Sequence, residues 1–214
     1  MSNDLSNYRK VYSKGELLID TSPENPLDLF QNWFHDIDSN FPEEETNAMS
    51  LATIGLDGYP KSRVVLLKKF SNEGFTFYTN YNSEKGKAII NNSNVCLSFF
   101  WHGAERQVII KGKAEKINEN LSDTYFNSRP RGSQLGALVS NQSEVVDRNQ
   151  LEEKLIALDN QFKGKLIPRP KHWGGIIVKP IEIEFWQGRP NRLHDRIRYK
   201  LQKDFNWIKD RLSP

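Results

Sequence analysis

Near the C-terminus, a histidine and three arginines recur at every second position: Arg192, His194, Arg196 and Arg198. Side chains two residues apart in a β-strand lie on the same face, so these four would form one basic row. A hairpin that pairs Trp186 with Arg192 would set the glutamates of the preceding strand against this row. A neighbouring guanidinium lowers the pKa of an imidazole and favours its neutral form. The row is either a solvated strand face or a site that binds an anion and moves protons.

A second candidate is the segment at residues 63–68, where Arg63 and Lys68 flank four apolar residues. In a regular strand these two cations lie about 16 Å apart and on opposite faces, at ~3.3 Å per residue. They could serve two anionic groups at opposite ends of a long ligand, or a bulge could re-aim one of them. The alternative is a pair of ordinary charges at the ends of a strand.

Two further segments have the chemistry of phosphate sites. Ser83 reads as the N-cap of a short helix, and Lys85 follows in its first turn, where free backbone N–H groups attract anions. Tyr125 and Arg129 share a helical face, and Ser133 follows at the expected start of the next helix. Hydroxyl and guanidinium donors together suit a phosphate monoester. In both places the alternative is an ordinary helix end.

Composition narrows the class of protein. The chain has 214 residues, a net charge of +3 and an ordinary globular balance of hydrophobic and charged residues. A single cysteine, Cys96, excludes a disulfide within the chain and any multi-cysteine zinc site, and the histidines lack metal spacing, so no metal is expected. The mild charge argues against nucleic acid as a partner. The absence of a long apolar stretch or a signal-like N-terminus predicts a cytoplasmic protein without membrane contact.

The elements that must position these residues are mostly strands. Residues 1–24 read as a polar, partly flexible arm, and Asn25 followed by Pro26 reads as the start of a helix. Predicted strands occupy 48–55, 63–70, 75–79, 95–101, 106–117, 173–186, 192–201 and a short stretch near 205–207. Helices are predicted at 83–90, 121–128, after Ser133 and at 151–162. Short strands joined by turns favour an antiparallel barrel with helices around it, in a single domain over residues 25–214.

Seven motifs, in this order, resemble the pyridoxine/pyridoxamine 5′-phosphate oxidase family over nearly the whole chain. They are RVVLLK at 63–68, FYTN at 77–80, ERQV at 105–108, YF at 125–126, SRPR at 128–131, FWQG at 185–188 and RLHDR at 192–196. The resemblance implies an antiparallel, Greek-key-like, FMN-binding split β-barrel with surrounding helices, and a homodimer with FMN at the interface. It also implies oxidation of pyridoxamine and pyridoxine 5′-phosphates to pyridoxal 5′-phosphate, with O2 reduced to H2O2.

The resemblance also implies roles for particular residues. It assigns FMN binding to Arg63, Val64, Val65, Leu66, Leu67, Lys68, Tyr78, Thr79, Lys85, Gln107, Gln142, Ser143, Trp186 and Arg196. It assigns substrate binding to Arg9, Tyr12, Lys68, Tyr125, Arg129, Ser133, Arg192 and His194. Arg192 and His194 are the expected catalytic residues, and Arg9 and Tyr12 belong to an arm expected to close over the substrate.

One position departs from the family. Glu84 stands where an arginine is usual before the lysine of this segment, and a carboxylate aimed at the FMN phosphate would weaken binding. At a helix start, however, glutamate complements the dipole and can point to solvent. Two other functions remain open on the residues alone. These are a flavin reductase or other oxidoreductase on the same barrel, and a non-catalytic module that binds phosphate or nucleic acid.

Overall fold

The structure is a computed structural model that describes residues 3–214 of the chain. Its helices are α1 (Pro26–Asn40), α2 (Glu84–Asn91), α3 (Glu119–Ser128), α4 (Arg131–Val139) and α5 (Arg148–Gln161). Its strands are β1 (Ala48–Ile54), β2 (Pro60–Leu66), β3 (Lys69–Ser71), β4 (Gly74–Asn80), β5 (Asn94–Trp101), β6 (Arg106–Lys116), β7 (Trp173–Gln187), β8 (Asp195–Leu201) and β9 (Trp207–Leu212). The expectation of a mainly β protein with helices is confirmed. Within residues 3–214, no helix is both long and apolar enough to cross a membrane.

The strands form one sheet in the order β2-β1-β5-β6-β7-β4-β3, and β8 pairs with both β7 and β9. The pairs β3–β4, β4–β7, β7–β8 and β8–β9 are antiparallel. Contacts divide the chain into two compact units. The first unit comprises residues 3–50, 97–111 and 180–214, and the second comprises 51–96 and 112–179. The prediction of a single domain over residues 25–214 stays a prediction.

The first unit is built around α1. The side chain of Asn25 accepts a hydrogen bond from the amide of Leu27 at 3.0 Å, and proline follows at the first helical position, as predicted. Phe30 packs edge-on against Phe99 at a centroid distance of 5.2 Å. Tyr199 is fully buried and donates its hydroxyl to the carbonyl of Pro23. Burial raises the pKa of Tyr199 to about 12, so the phenol stays neutral.

The second unit has a smaller core of Phe126, Leu135, Ile167 and Trp173. Two hydroxyl groups tie α3 and the chain after β4 to the start of β7. The Tyr81 hydroxyl donates to the Gly175 carbonyl at 3.1 Å, and Ser122 Oγ accepts from the Gly175 amide at 3.1 Å. The site residues of this unit therefore stand on elements joined by buried hydrogen bonds.

Two predicted elements differ from the structure in this unit. The single strand expected over residues 63–70 is two strands, because β2 ends at Leu66 and β3 begins at Lys69. The prediction that Ser133 caps a helix is wrong. Helix α4 already begins at Arg131, since Pro130 takes the N-cap position with a φ of −53°, and Ser133 lies inside the first turn. Proline sets a backbone angle suited to a helix start, which outweighs the serine signal.

Candidate active site

In the second unit, the start of α2 lies close against the end of β4. Ser83 caps the helix as predicted: its Oγ accepts from the Gly86 amide at 3.2 Å and donates to the Asn80 carbonyl at 2.6 Å. A Cβ added at Gly86 would lie 2.3 Å from the carbonyl oxygen of Tyr81. Only glycine permits this approach, which holds the first turn of α2 in place.

Two cations near this helix start are held without a carboxylate partner. Lys85 is only 8% exposed, and its ammonium donates to Ser83 Oγ over a long 3.5 Å. Arg63 donates to Thr53 Oγ1 at 2.7 Å and to the Leu51 carbonyl at 3.2 Å. Burial first and then the charge of Arg63 lower the pKa of Lys85. Neither cation forms an ion pair within residues 3–214, and a lysine at a helix N-terminus opposes the dipole. The group suits a bound anion.

Glu84, the residue that departs from the family pattern, is turned to a different cation. The ammonium of Lys61 lies 2.8 and 2.6 Å from its two carboxylate oxygens, and both side chains are about half exposed. The amide of Glu84 donates to Ser143 Oγ at 3.2 Å. Ser143 has a left-handed φ of 79°, and with Gln142 it lines a cavity of about 310 Å³ that Glu84 also borders. The Lys61 ion pair was not foreseen, because the two residues lie on different elements.

A second group in the same unit consists of stacked aromatic rings and one arginine. Tyr78 and Tyr125 stack with centroids 3.8 Å apart and planes 17° apart, and Tyr78 lies 5.5 Å from Trp173. The guanidinium of Arg129 lies 4.5 Å from the centre of the Trp173 ring. Burial lowers the pKa of Arg129, and its buried Nη1 has no hydrogen-bond partner among residues 3–214. An arginine packed against an aromatic ring can keep its N–H groups available for an anion.

The other expected ligand residues of this unit are placed as follows. Lys68 follows the end of β2 with an exposed side chain, and its amide donates to the Thr76 carbonyl at 2.8 Å. Ser133 is half-buried in α4, and Thr79 is buried in β4. Four expected FMN ligands lie between Arg63 and Lys68. Their exposure falls along the chain, from an exposed first residue to a buried last one: Val64, Val65, Leu66 and Leu67.

In the first unit, the predicted pairing of the C-terminal hairpin is wrong. Trp186 pairs with Arg196 instead of Arg192, so the register is displaced by four residues. The chain forms a short 3₁₀ turn at Pro190–Arg192, in which Asn191 and Arg192 have left-handed φ values of 57° and 61°. β8 therefore begins only at Asp195, and the side chains of Arg192 and His194 do not belong to an alternating strand row.

The aromatic and histidine side chains of this unit nevertheless come together. His194 lies 4.8 Å from the ring of Trp186, and Tyr12 contacts both rings edge-on, at 5.7 Å and 5.6 Å. The amide of Arg189 donates to His194 Nδ1 at 3.1 Å. Burial first and then the charge of Arg192 lower the pKa of His194. The lowered pKa favours the neutral imidazole, and the hydrogen bond accepted by Nδ1 leaves the proton of that form on Nε2.

The other expected residues of this unit are less closely grouped. Arg196 donates to Glu184 at 2.8 Å and to the Ser213 carbonyl at 2.9 Å, and the Glu184 hydrogen bond raises its pKa. Gln107 is half-buried in β6. Arg9 is exposed and donates only to the nearby carbonyl of Ser6 at 3.3 Å.

Two protein-family models match the chain. Residues 40–157 match the model of pyridoxamine 5′-phosphate oxidase, and residues 173–214 match that of the pyridoxine 5′-phosphate oxidase C-terminal dimerisation region. The pyridoxine/pyridoxamine 5′-phosphate oxidase of Flavobacterium johnsoniae is 66% identical over 99% of this chain and 99% of its own length. The protein of the same name from Christiangramia forsetii is 52% identical, with 100% of both chains covered.

Solved structures are similar as well. PhzG from Burkholderia lata 383, in complex with tetrahydrophenazine-1-carboxylic acid, has a TM-score of 0.86 at 28% identity and covers 94% of this chain and 100% of its own. A pyridoxamine 5′-phosphate oxidase-related, FMN binding protein from Nostoc punctiforme has a TM-score of 0.69 at 13% identity, with 91% and 100% covered. The second likeness concerns the fold alone. Together the two neighbours confirm the expected split β-barrel with surrounding helices.

Proposed function

Because the chain belongs to the pyridoxine/pyridoxamine 5′-phosphate oxidase family, we propose that it makes pyridoxal 5′-phosphate from pyridoxamine 5′-phosphate and pyridoxine 5′-phosphate. The alcohol and O2 give the aldehyde and H2O2. The amine, O2 and water give the aldehyde, H2O2 and ammonia. The protein is an oxidoreductase of this family, and the expectation of FMN as its cofactor is confirmed at the level of the family.

The observation that carries the proposal is a pair of separate cationic groups, both suited to phosphate, in the second unit. One group contains Arg63 and Lys85 at the start of α2, and the other contains Arg129 against Trp173. Among the described residues neither group forms an ion pair with a carboxylate, although the charge of Glu84 acts on Arg63 and Lys85 from a distance. Leaving buried cations without a partner costs free energy, which a bound phosphate restores through charge-assisted hydrogen bonds. Two such groups fit an enzyme whose cofactor and substrate both carry a phosphate.

The start of α2 fits the phosphate of FMN. Lys85 would donate its ammonium to that phosphate, and Arg63, already oriented by Thr53, would donate a second charged group. The carboxylate of Glu84 is paired with Lys61, and its charge raises the pKa of Arg63 and of Lys85 by less than burial lowers them, so the family departure leaves the net shift of both cations downward. The chemistry that bound FMN supplies is acceptance of a hydride from the substrate and delivery of two electrons to O2.

The Arg129 group fits the phosphate of the substrate. The orphaned Nη1 of Arg129 would donate to it, with the Tyr125 hydroxyl, Ser133 and Lys68 as further donors. Burial raises the pKa of Tyr125, so its hydroxyl keeps the proton that it would donate. A fixed grip on the phosphate would orient the distant reacting carbon, which is where positional catalysis gains most.

Arg192 and His194 are proposed to orient the substrate ring and to handle its proton. The neutral imidazole presents an N–H at Nε2 because Nδ1 is engaged by the Arg189 amide. It can therefore donate a hydrogen bond to the substrate without adding a second positive charge beside Arg192. We further propose a homodimer with FMN at the subunit interface, a proposal supported by the match of residues 173–214 to a dimerisation region.

The deciding experiment is turnover by the purified, FMN-loaded protein. With either phosphorylated substrate under air, we expect pyridoxal 5′-phosphate and H2O2 in equal amounts. Pyridoxine without its phosphate serves as the matched control and should react at least tenfold less efficiently, because it cannot use the Arg129 group. Oxidation of NADH by the flavin-loaded protein, without any pyridoxal 5′-phosphate formed, would instead favour a flavin reductase.

A further inference from the structure

A buried carboxylate in the first unit has no part in the proposed chemistry. Glu105 stands in the turn between β5 and β6 with a left-handed φ of 57°, and it is only 2% exposed. Its Oε2 accepts the amides of Ser13 at 2.7 Å and Lys14 at 3.0 Å, and its Oε1 lies 3.7 Å from the ammonium of Lys10. All three partners belong to the N-terminal arm.

The turn that carries Glu105 is itself held against the end of β7. The Gly188 amide donates to the Glu105 carbonyl at 2.8 Å, and Gln187 Nε2 donates to the same oxygen at 3.2 Å. A buried carboxylate is tolerated only when hydrogen bonds replace its water, and here the arm amides supply them. Contact with the arm is therefore a condition for burying the Glu105 carboxylate, and the turn that carries Glu105 is itself bonded to the end of β7.

The residue next to these amides is Tyr12, which lies over the Trp186 and His194 pair. A Cβ added at Gly188 would come within 2.8 Å of Tyr12 Cβ, so the arm passes directly over the backbone that follows Trp186. Fixing the amides of Ser13 and Lys14 fixes the direction from which Tyr12 enters.

Other anchors hold the arm further along. Asp195 accepts the Leu17 amide at 3.0 Å, and Arg189 donates to the Gly15 carbonyl at 3.0 Å. On the N-terminal side of Tyr12, Lys10 makes its ion pair with Glu105 itself. Glu105 is thus the anchor that borders Tyr12 on both sides, whereas Asp195 secures only the base of the arm.

We propose that Glu105 is a positioning residue that seats the N-terminal arm on Trp186 and His194 before the substrate binds. It acts through Tyr12, whose ring then forms a wall for the substrate. The substrate part of this inference rests on the proposed function, whereas the seating of the arm does not.

The test compares Glu105→Gln with Glu44→Gln. Glutamine keeps the shape but removes the charge that accepts two amides. Glu44 is a matched control, since its carboxylate accepts the amide of Gly103 in the same turn and, among residues 3–214, makes no hydrogen bond or ion pair with the arm. Trypsin cleavage after Lys10 and Lys14, followed by mass spectrometry of the holoprotein, reports on the arm. We expect the initial cleavage rate to rise at least tenfold in Glu105→Gln and less than twofold in Glu44→Gln.

Kinetics test the link to Tyr12. We expect Glu105→Gln to raise KM for pyridoxine 5′-phosphate about tenfold, with kcat changed less than threefold, and Glu105→Ala to have a larger effect. In a Tyr12→Ala background the added change in KM should fall below twofold, because the residue through which Glu105 acts is gone.

Cleavage at the wild-type rate in both Glu105 variants would overturn the seating of the arm. A change in KM that persists undiminished in the Tyr12→Ala background would overturn the route through Tyr12. If the wild-type protein formed no pyridoxal 5′-phosphate, the proposed function would fail, and the trypsin comparison would still decide the anchoring role.

Discussion

Replacing Lys85 with methionine should have two separate effects. It should stabilise the apoprotein, because it removes a buried cation, and it should weaken the binding of FMN, because it removes a donor to the phosphate. The change keeps an unbranched side chain of similar length and removes the ammonium group. In the apoprotein that group is buried at the wrong end of the α2 dipole and is repelled by Arg63. A charge opposed to a helix dipole costs about 0.3–1 kcal/mol, and desolvation adds to this. We expect apo Lys85→Met to be more stable by about 1 kcal/mol, which raises Tm by roughly 2–4 °C in a chain of this size.

The same change should weaken FMN binding. A hydrogen bond to a charged partner contributes about 1.5–3 kcal/mol, so its loss raises Kd by roughly 10- to 150-fold. Thermal unfolding of the apoprotein, followed by circular dichroism, measures the first effect, and quenching of flavin fluorescence measures the second. Lys87→Met is the control, because Lys87 is exposed on the same helix. Its stability should change by less than about 0.5 kcal/mol.

The pH dependence follows from the lowered pKa of Lys85. The folded protein releases this proton at a lower pH than the unfolded chain, whose lysine titrates near 10.5. Between the two values the unfolded state holds more protons, so the stability of the apoprotein rises with pH in that window. The advantage of Lys85→Met over wild type should therefore shrink as the pH approaches 10.5. An apo variant less stable than wild type, with unchanged FMN affinity, would refute the reasoning.

Two other substitutions address the substrate side. Arg192→Ala should lower kcat/KM at least tenfold, about 1.4 kcal/mol, while FMN stays bound. Because Arg192 lowers the pKa of His194, an NMR titration should also show a higher pKa for His194 in the variant. Unchanged kinetics would contradict a role for Arg192 in the site. Arg129→Ala should raise KM for phosphorylated substrates roughly tenfold or more, with little effect on pyridoxine. An equal loss with both substrates in steady-state assays would contradict a phosphate role.

Signals that act over a few residues were reliable in the sequence. The starts of α1 at Asn25 and Pro26 and of α2 at Ser83 were predicted correctly, because a cap is a hydrogen bond between near neighbours. Ser133 shows the limit of this logic. Pro130, three residues earlier, has backbone angles that suit a helix start. The sequence alone does not show which of the two residues begins the helix.

The pairing register of the C-terminal hairpin could not be predicted correctly from the sequence. The alternation of Arg192, His194 and Arg196 correctly indicated a strand nearby, but it did not show where the turn ends. Asn191 and Arg192 adopt left-handed conformations, which an alternating strand pattern does not predict. Because this turn lengthens the connection, the pairing register differs from the predicted one by four residues. His194 still meets Trp186, although through the turn instead of a strand face.

By itself, the sequence determined the family, the mainly β fold and the residue types that suit two phosphates. Motifs and strand periodicity are patterns of residues close together in the chain, so they can be recognised without the structure. The tertiary structure decided which side chains meet. It placed Trp173 under Arg129, paired Lys61 with Glu84 and buried Glu105 against the arm. These contacts join residues far apart in the chain, and they depend on how the strands pair and which groups lose water. Neither property can be read from local spacing.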